Sequence, residues 1–81
     1  MAEYRYLEMI EILDEGDELE KQPLMVRIEV KDEDEARSLY SQYKVLFVGR
    51  KYRVQYHVHY HSKDGKNLPC EIKVLKEGKG G

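Results

Sequence analysis

The chain has 81 residues, of which 41% are hydrophobic and 37% charged, and a formal net charge of -2. That length fits one domain, and no apolar run approaches the ~20 residues of a membrane span. The single cysteine, Cys70, excludes an internal disulfide and a cysteine-rich zinc site.

The start, Met1-Ala2-Glu3-Tyr4-Arg5-Tyr6, has no apolar signal core behind a basic head, so a cytoplasmic location is expected. Many Glu and Lys with one Asn and three Gln is a thermophile-like composition. Residues 1–35 carry 13 acidic and 4 basic side chains, residues 36–81 carry 3 and 10. Such a split either makes a dipolar surface or ties the two halves together.

Residues 3–13 fit both a strand and a helical stripe. Tyr4, Tyr6, Ile10 and Ile12 alternate, and Tyr and Ile suit a pleated surface, so a strand with a bulge near Leu7–Met9 is predicted. Residues 14–23 are a charged loop closed by Pro23. Residues 24–30 are a strand with Leu24, Val26, Ile28 and Val30 on one face. Asp32 is a good helix N-cap with Glu35 three residues on. Ala36, Leu39, Tyr40 and Tyr43 follow at helical spacing, and the helix should end near Tyr43 or Lys44.

Val45–Val48, an all-apolar run ending at Gly49, reads as a short buried strand. Residues 52–61 alternate without error. Tyr52, Val54, Tyr56, Val58 and Tyr60 should face the core, and Arg53, Gln55, His57, His59 and His61 should face outward. A three-residue loop, Lys63-Asp64-Gly65, with Gly65 left-handed, pairs Tyr60 with Leu68, Val58 with Cys70, Tyr56 with Ile72 and Val54 with Val74. Pro69 then falls opposite His59, marking an edge strand. The expected fold is α+β: a small, mostly antiparallel sheet in ββαβββ order, with one helix on one face, over residues 1–76. A flexible Gly-rich tail is expected over 77–81.

Four features carry possible chemistry. The acidic residues Asp14, Glu15, Asp17, Glu18 and Glu20, and a second group, Asp32, Glu33, Asp34 and Glu35, are oxygen donors suited to Ca²⁺ or Mg²⁺. Their spacing is not an EF-hand, and strand 24–30 holds the groups about 20 Å apart. The row His57, His59 and His61 shares one strand face, with Glu71 expected opposite His57, and two imidazoles with Glu71 suit zinc, copper or nickel. Arg50, Lys51, Arg53, Lys63, Lys66, Lys73 and Lys76 are a basic cluster able to meet nucleic-acid phosphates. The tyrosines that would stack bases point to the helix side, and no RNA-binding sheet signature is present.

The fourth feature is the terminal Gly80-Gly81. Together with the element order it resembles the ubiquitin-like β-grasp proteins. The resemblance covers topology and two residues, and it implies a modifier or carrier whose tail is joined to amines or sulfur. The long acidic first loop departs from the short first hairpin turn of that family.

No catalytic constellation is visible. Cys70 is expected in the core, and Ser38, Ser41 and Ser62 have no motif around them. The sequence therefore favours a non-enzymatic binding module that takes a divalent cation, Ca²⁺ or Mg²⁺, in its acidic half. Nucleic-acid binding and a ubiquitin-like role are the alternatives, and no protein partner is specified.

Overall fold

The computed structural model describes residues 2–81. Four strands form one antiparallel sheet: β1 (Ala2–Glu11), β2 (Leu24–Glu29), β3 (Lys51–His61) and β4 (Glu71–Lys79), in the order β2-β1-β3-β4. One helix, α1 (Glu33–Tyr43), packs on one face, which makes an α+β fold. Short 3₁₀ turns lie at Leu19–Lys21 and Lys44–Phe47.

The central strands β1 and β3 carry the core. On the helix side Leu7, Met9, Val54, Tyr52 and Phe47 are buried with Ala36 of α1, and Tyr52 stacks on Phe47 with ring centroids 4.9 Å apart. Each such large apolar side chain contributes about 1.5–3 kcal/mol by leaving water. Leu39, Tyr40 and Tyr43 of α1 pack onto this cluster, as their spacing predicts. Asp32 caps the helix, accepting from the Glu35 N–H at 2.9 Å. Glu35 reaches back one residue further than a capping box requires, and accepts from the Lys31 N–H at 3.1 Å.

The strand predicted over residues 3–13 forms but ends at Glu11, and the extra residue of the bulge lies in the partner. Met9 pairs with Val26 and Ile10 with Leu24, so Met25 is the unpaired one. Leu24 is thereby moved to the open side of the sheet, away from Val26 and Ile28.

Val45–Val48 is not a strand, so the order is ββαββ and not ββαβββ. The chain leaves α1 without a breaker and continues as a 3₁₀ turn. Only Phe47 enters the core, while Val45, Leu46 and Val48 stay exposed. A four-residue apolar run carries no period long enough to separate these outcomes.

The β3–β4 hairpin opens as predicted and then slips. Gly65 has φ 81°, its N–H donates to Ser62 O at 3.0 Å, and the Leu68 N–H donates to Tyr60 O at 3.0 Å. Beyond that pair the ladder resumes as Val58 opposite Glu71, Tyr56 opposite Lys73 and Gln55 opposite Val74. Pro69 and Cys70 together oppose His59, a bulge at the residue that has no N–H to give a ladder. A one-residue slip exchanges faces. Glu71 and Lys73 move to the helix side, and Ile72 and Val74 move to the open side. Lys73 finds a partner there, since its Nζ is 3.0 Å from Glu33 of α1. A second irregularity leaves Leu75 unpaired between Val74 and Lys76, and its side chain packs against the core.

Residues 77–79, read from sequence as tail, complete β4. Gly80 is bonded on both sides, its N–H to Arg50 O at 2.8 Å and its carbonyl to the Gly49 N–H at 2.9 Å. A Cβ at Gly80 would overlap the Phe47 carbonyl, so this close approach requires glycine.

Candidate metal centre

β1 and β3 are neighbours, so β1 pairs Tyr6 with His57 and Glu8 with Gln55 on the sheet face away from α1. Glu8 breaks the apolar alternation of β1 and is 94% buried, at 6% exposure. A buried carboxylate needs partners. It accepts from Gln55 Nε2 at 2.8 Å and from His57 Nδ1 at 2.8 Å, and Arg27 Nε lies 3.5 Å from its second oxygen. A carboxylate only accepts, so the proton between Glu8 and His57 belongs to Nδ1. The lone pair of His57 is therefore on Nε2, which is buried and has no hydrogen-bond partner.

The slip at Pro69–Cys70 places the thiol on this same face. Cys70 is exposed, and its Sγ lies 2.9 Å from His59 Nδ1. Among the described residues, His57, His59 and Cys70 form the one group of three in which a ligand atom from each lies within 4.8 Å of the others. Tetrahedral zinc, with bonds of about 2.0–2.3 Å to nitrogen and sulfur, needs donors roughly 3.3–3.6 Å apart. The exposed Cys70 side chain has the rotational freedom to adjust to that spacing.

The sequence-predicted histidine set is corrected in two ways. Glu71 is not opposite His57 but opposite Val58, on the helix side, where its charge, after burial, raises the Tyr60 phenol above its ordinary value. Cys70, expected in the core, takes its place beside the histidines. His61 sits at the end of the row, its ring 4.6 Å from His59 and edge-on to Tyr4 at 5.4 Å. It is outside the three-residue group.

The acidic residues lie in two separate places. Asp14 Oδ1 accepts from the Gly16 N–H at 2.9 Å, and Glu15 pairs with Lys51 at 2.6 Å. Asp17, Glu18 and Glu20 are exposed in the same loop. At the helix start Asp32 and Glu35 serve as caps, and Asp34 is exposed. Glu33 sits between Lys73 and Arg37, which hold its carboxyl below the usual range.

The basic residues do not form one surface. Arg50 pairs with Glu11 at 3.6 Å and Lys51 with Glu15, both at the start of β3. Lys63 and Lys66 are at the hairpin tip, about 30 Å away along the strand. Lys73 faces α1, whereas Arg53 is on the opposite face beside Gln55.

Three residues carry roles that sequence reasoning missed: Glu8, Gln55 and Cys70. A carboxylate interrupting a central strand, and a proline inside a strand, were the available signals. Comparison of the chain with protein-family profiles, curated proteins and solved structures finds no match.

Proposed function

We propose that this protein binds a transition-metal ion, Zn²⁺ in the first instance, through His57 Nε2, His59 and Cys70 Sγ. The observation that carries the reading is the convergence of one ligand atom from each of these three residues within 4.8 Å, together with a His57 Nε2 that is buried without a partner. Two imidazoles and a thiolate are soft to borderline ligands, which favour zinc or copper over calcium or magnesium. Glu8 acts behind the ligand, fixing the His57 tautomer and ring orientation as carboxylates do behind metal-bound histidines. Three protein ligands leave a fourth position open, which suits reversible binding or exchange more than a closed structural site. A reduced Cys70 is required, consistent with a cytoplasmic setting.

A hard-cation site in the acidic half has less support. Asp14, Glu15, Asp32, Glu33 and Glu35 are already engaged in caps and ion pairs. Calorimetric titration of the reduced protein tests the choice. Zn²⁺ should bind at one site per chain, and His59→Ala and Cys70→Ser should each weaken it at least about tenfold. Ca²⁺ should give no comparable heat. Unchanged Zn²⁺ affinity in Cys70→Ser would overturn the assignment.

A further inference from the structure

On the open face of the sheet Glu8 stands between two direct cross-strand neighbours, Arg27 of β2 and Gln55 of β3. His57 lies diagonally from it, opposite Tyr6. A neighbouring guanidinium ordinarily claims a buried carboxylate through short, charge-assisted hydrogen bonds. Here Arg27 Nε stays 3.5 Å from Glu8 Oε2, whereas Gln55 Nε2 and His57 Nδ1 both donate to Glu8 Oε1 at 2.8 Å. The Arg27 guanidinium lies over the Tyr6 ring, 4.2 Å from its centroid, with the side chain 48% exposed.

Packing does not explain Gln55. It is buried at 4% exposure, and its Oε1 is buried without a donor. An apolar side chain of the same length would fill the space without that orphaned oxygen. What only the amide supplies is the N–H at Glu8 Oε1.

We infer that Gln55 is a positioning residue of the metal centre: its amide holds the Glu8 carboxylate towards His57 and out of a full ion pair with Arg27. With Oε1 fixed, the His57 proton stays on Nδ1, and Nε2 is the nitrogen offered to metal. Without the amide the carboxylate turns to Arg27, and His57 loses the acceptor that fixes its tautomer. The effect on affinity rests on the zinc reading above, whereas the effect on the tautomer does not.

A double-mutant cycle tests the inference with two readouts. Gln55→Met keeps the length and removes the donor, Arg27→Met removes the competitor, and the third variant combines them. The first readout is the His57 tautomer in metal-free protein, from imidazole nitrogen-15 shifts at about pH 8.5, where a free imidazole is neutral. The second is Zn²⁺ affinity by calorimetry. Gln55→Met should move His57 from the Nδ1–H pattern towards the Nε2–H pattern and weaken Zn²⁺ about tenfold. Arg27→Met alone should change neither. In the combined variant the tautomer should return to Nδ1–H, with an affinity within about threefold of the unaltered protein. A purely structural Gln55 gives no such rescue, because a second substitution beside the first would only add to the damage. Unmoved α1 amide resonances show that each variant is folded, and Gln55→Leu, run in parallel, should behave as Gln55→Met. The inference is overturned by an unchanged tautomer in Gln55→Met, or by a loss that Arg27→Met does not repair. The expected tautomer cycle without Zn²⁺ binding would refute the metal reading and leave the role of Gln55 in place.

Discussion

Cys70 Sγ lies 2.9 Å from His59 Nδ1 because two residues just before β4, Pro69 and Cys70, oppose the single residue His59 of β3. Without that bulge Cys70 would stand opposite Val58 and face α1. The bulge thus brings the sulfur to the histidines. It also moves Glu71 away from the histidines and brings Lys73 to Glu33.

Glu8→Gln tests the role assigned to the carboxylate behind His57. The amide keeps the shape but loses the charge that holds the Nδ1 proton. Zn²⁺ affinity should fall about 10–100-fold, as when outer partners of metal-bound histidines are removed. Calorimetry reads this directly, and an affinity equal to that of the unaltered protein would mean that Glu8 is only a buried structural group.

Gly65→Val tests the hairpin turn. Gly65 has φ 81°, where a β-branched side chain collides with its own backbone. The variant should lose roughly 1–2 kcal/mol in urea unfolding, while Gly65→Asn should lose less. Equal stability of Gly65→Val and the unaltered protein would contradict a left-handed turn residue.

Gly80→Ala places a methyl group against the Phe47 carbonyl and should lower the melting temperature. Removing Gly81 alone, which is exposed, should not. The contrast separates a glycine built into the sheet from a free Gly-Gly tail, and an unaffected Gly80→Ala would restore the tail.

Tyr52 carries an alkaline prediction. Burial, helped by its 3.2 Å hydrogen bond with Tyr40, pushes the Tyr52 phenol up to about 12. In the unfolded chain tyrosine titrates near 10. Between those values the folded state keeps a proton that the unfolded state loses. The contribution is therefore complete below about pH 10 and is lost as pH rises towards 12. Tyr52→Phe should cost about 0.5–1.5 kcal/mol at neutral pH through the lost hydrogen bond. It should also show a shallower fall in stability above pH 10, measured by denaturant titration across that range.

Much of the architecture was legible because each piece rested on a long pattern. The faultless alternation of residues 52–61 placed β3, and Asp32 with the Ala36–Tyr43 stripe placed α1. The Lys63-Asp64-Gly65 turn was legible from its glycine. Register beyond the turn was not, because choosing the pairing that made every core-face contact apolar assumed a continuous ladder. Pro69 marks an edge strand in the sequence, and it also marks a bulge. His57 and His59 are legible from strand period, but an unbroken ladder puts Glu71 where Cys70 stands. In the sequence Glu8 is only a break in an apolar pattern, whereas β1 lies between β2 and β3 and Glu8 is buried there.

Cobalt substitution tests the central claim most directly, since Co²⁺ occupies zinc-type sites and reports its ligands in its absorption spectrum. Co²⁺ added to the reduced protein should give a near-ultraviolet thiolate-to-cobalt charge-transfer band and the intense visible bands of a tetrahedral ion, saturating at one ion per chain. Both should be lost or weakened in His57→Ala and His59→Ala. The charge-transfer band alone should vanish in Cys70→Ser, and His61→Ala should keep the full spectrum. Weak octahedral bands without charge transfer, unchanged by Cys70→Ser, would contradict a metal centre at His57, His59 and Cys70.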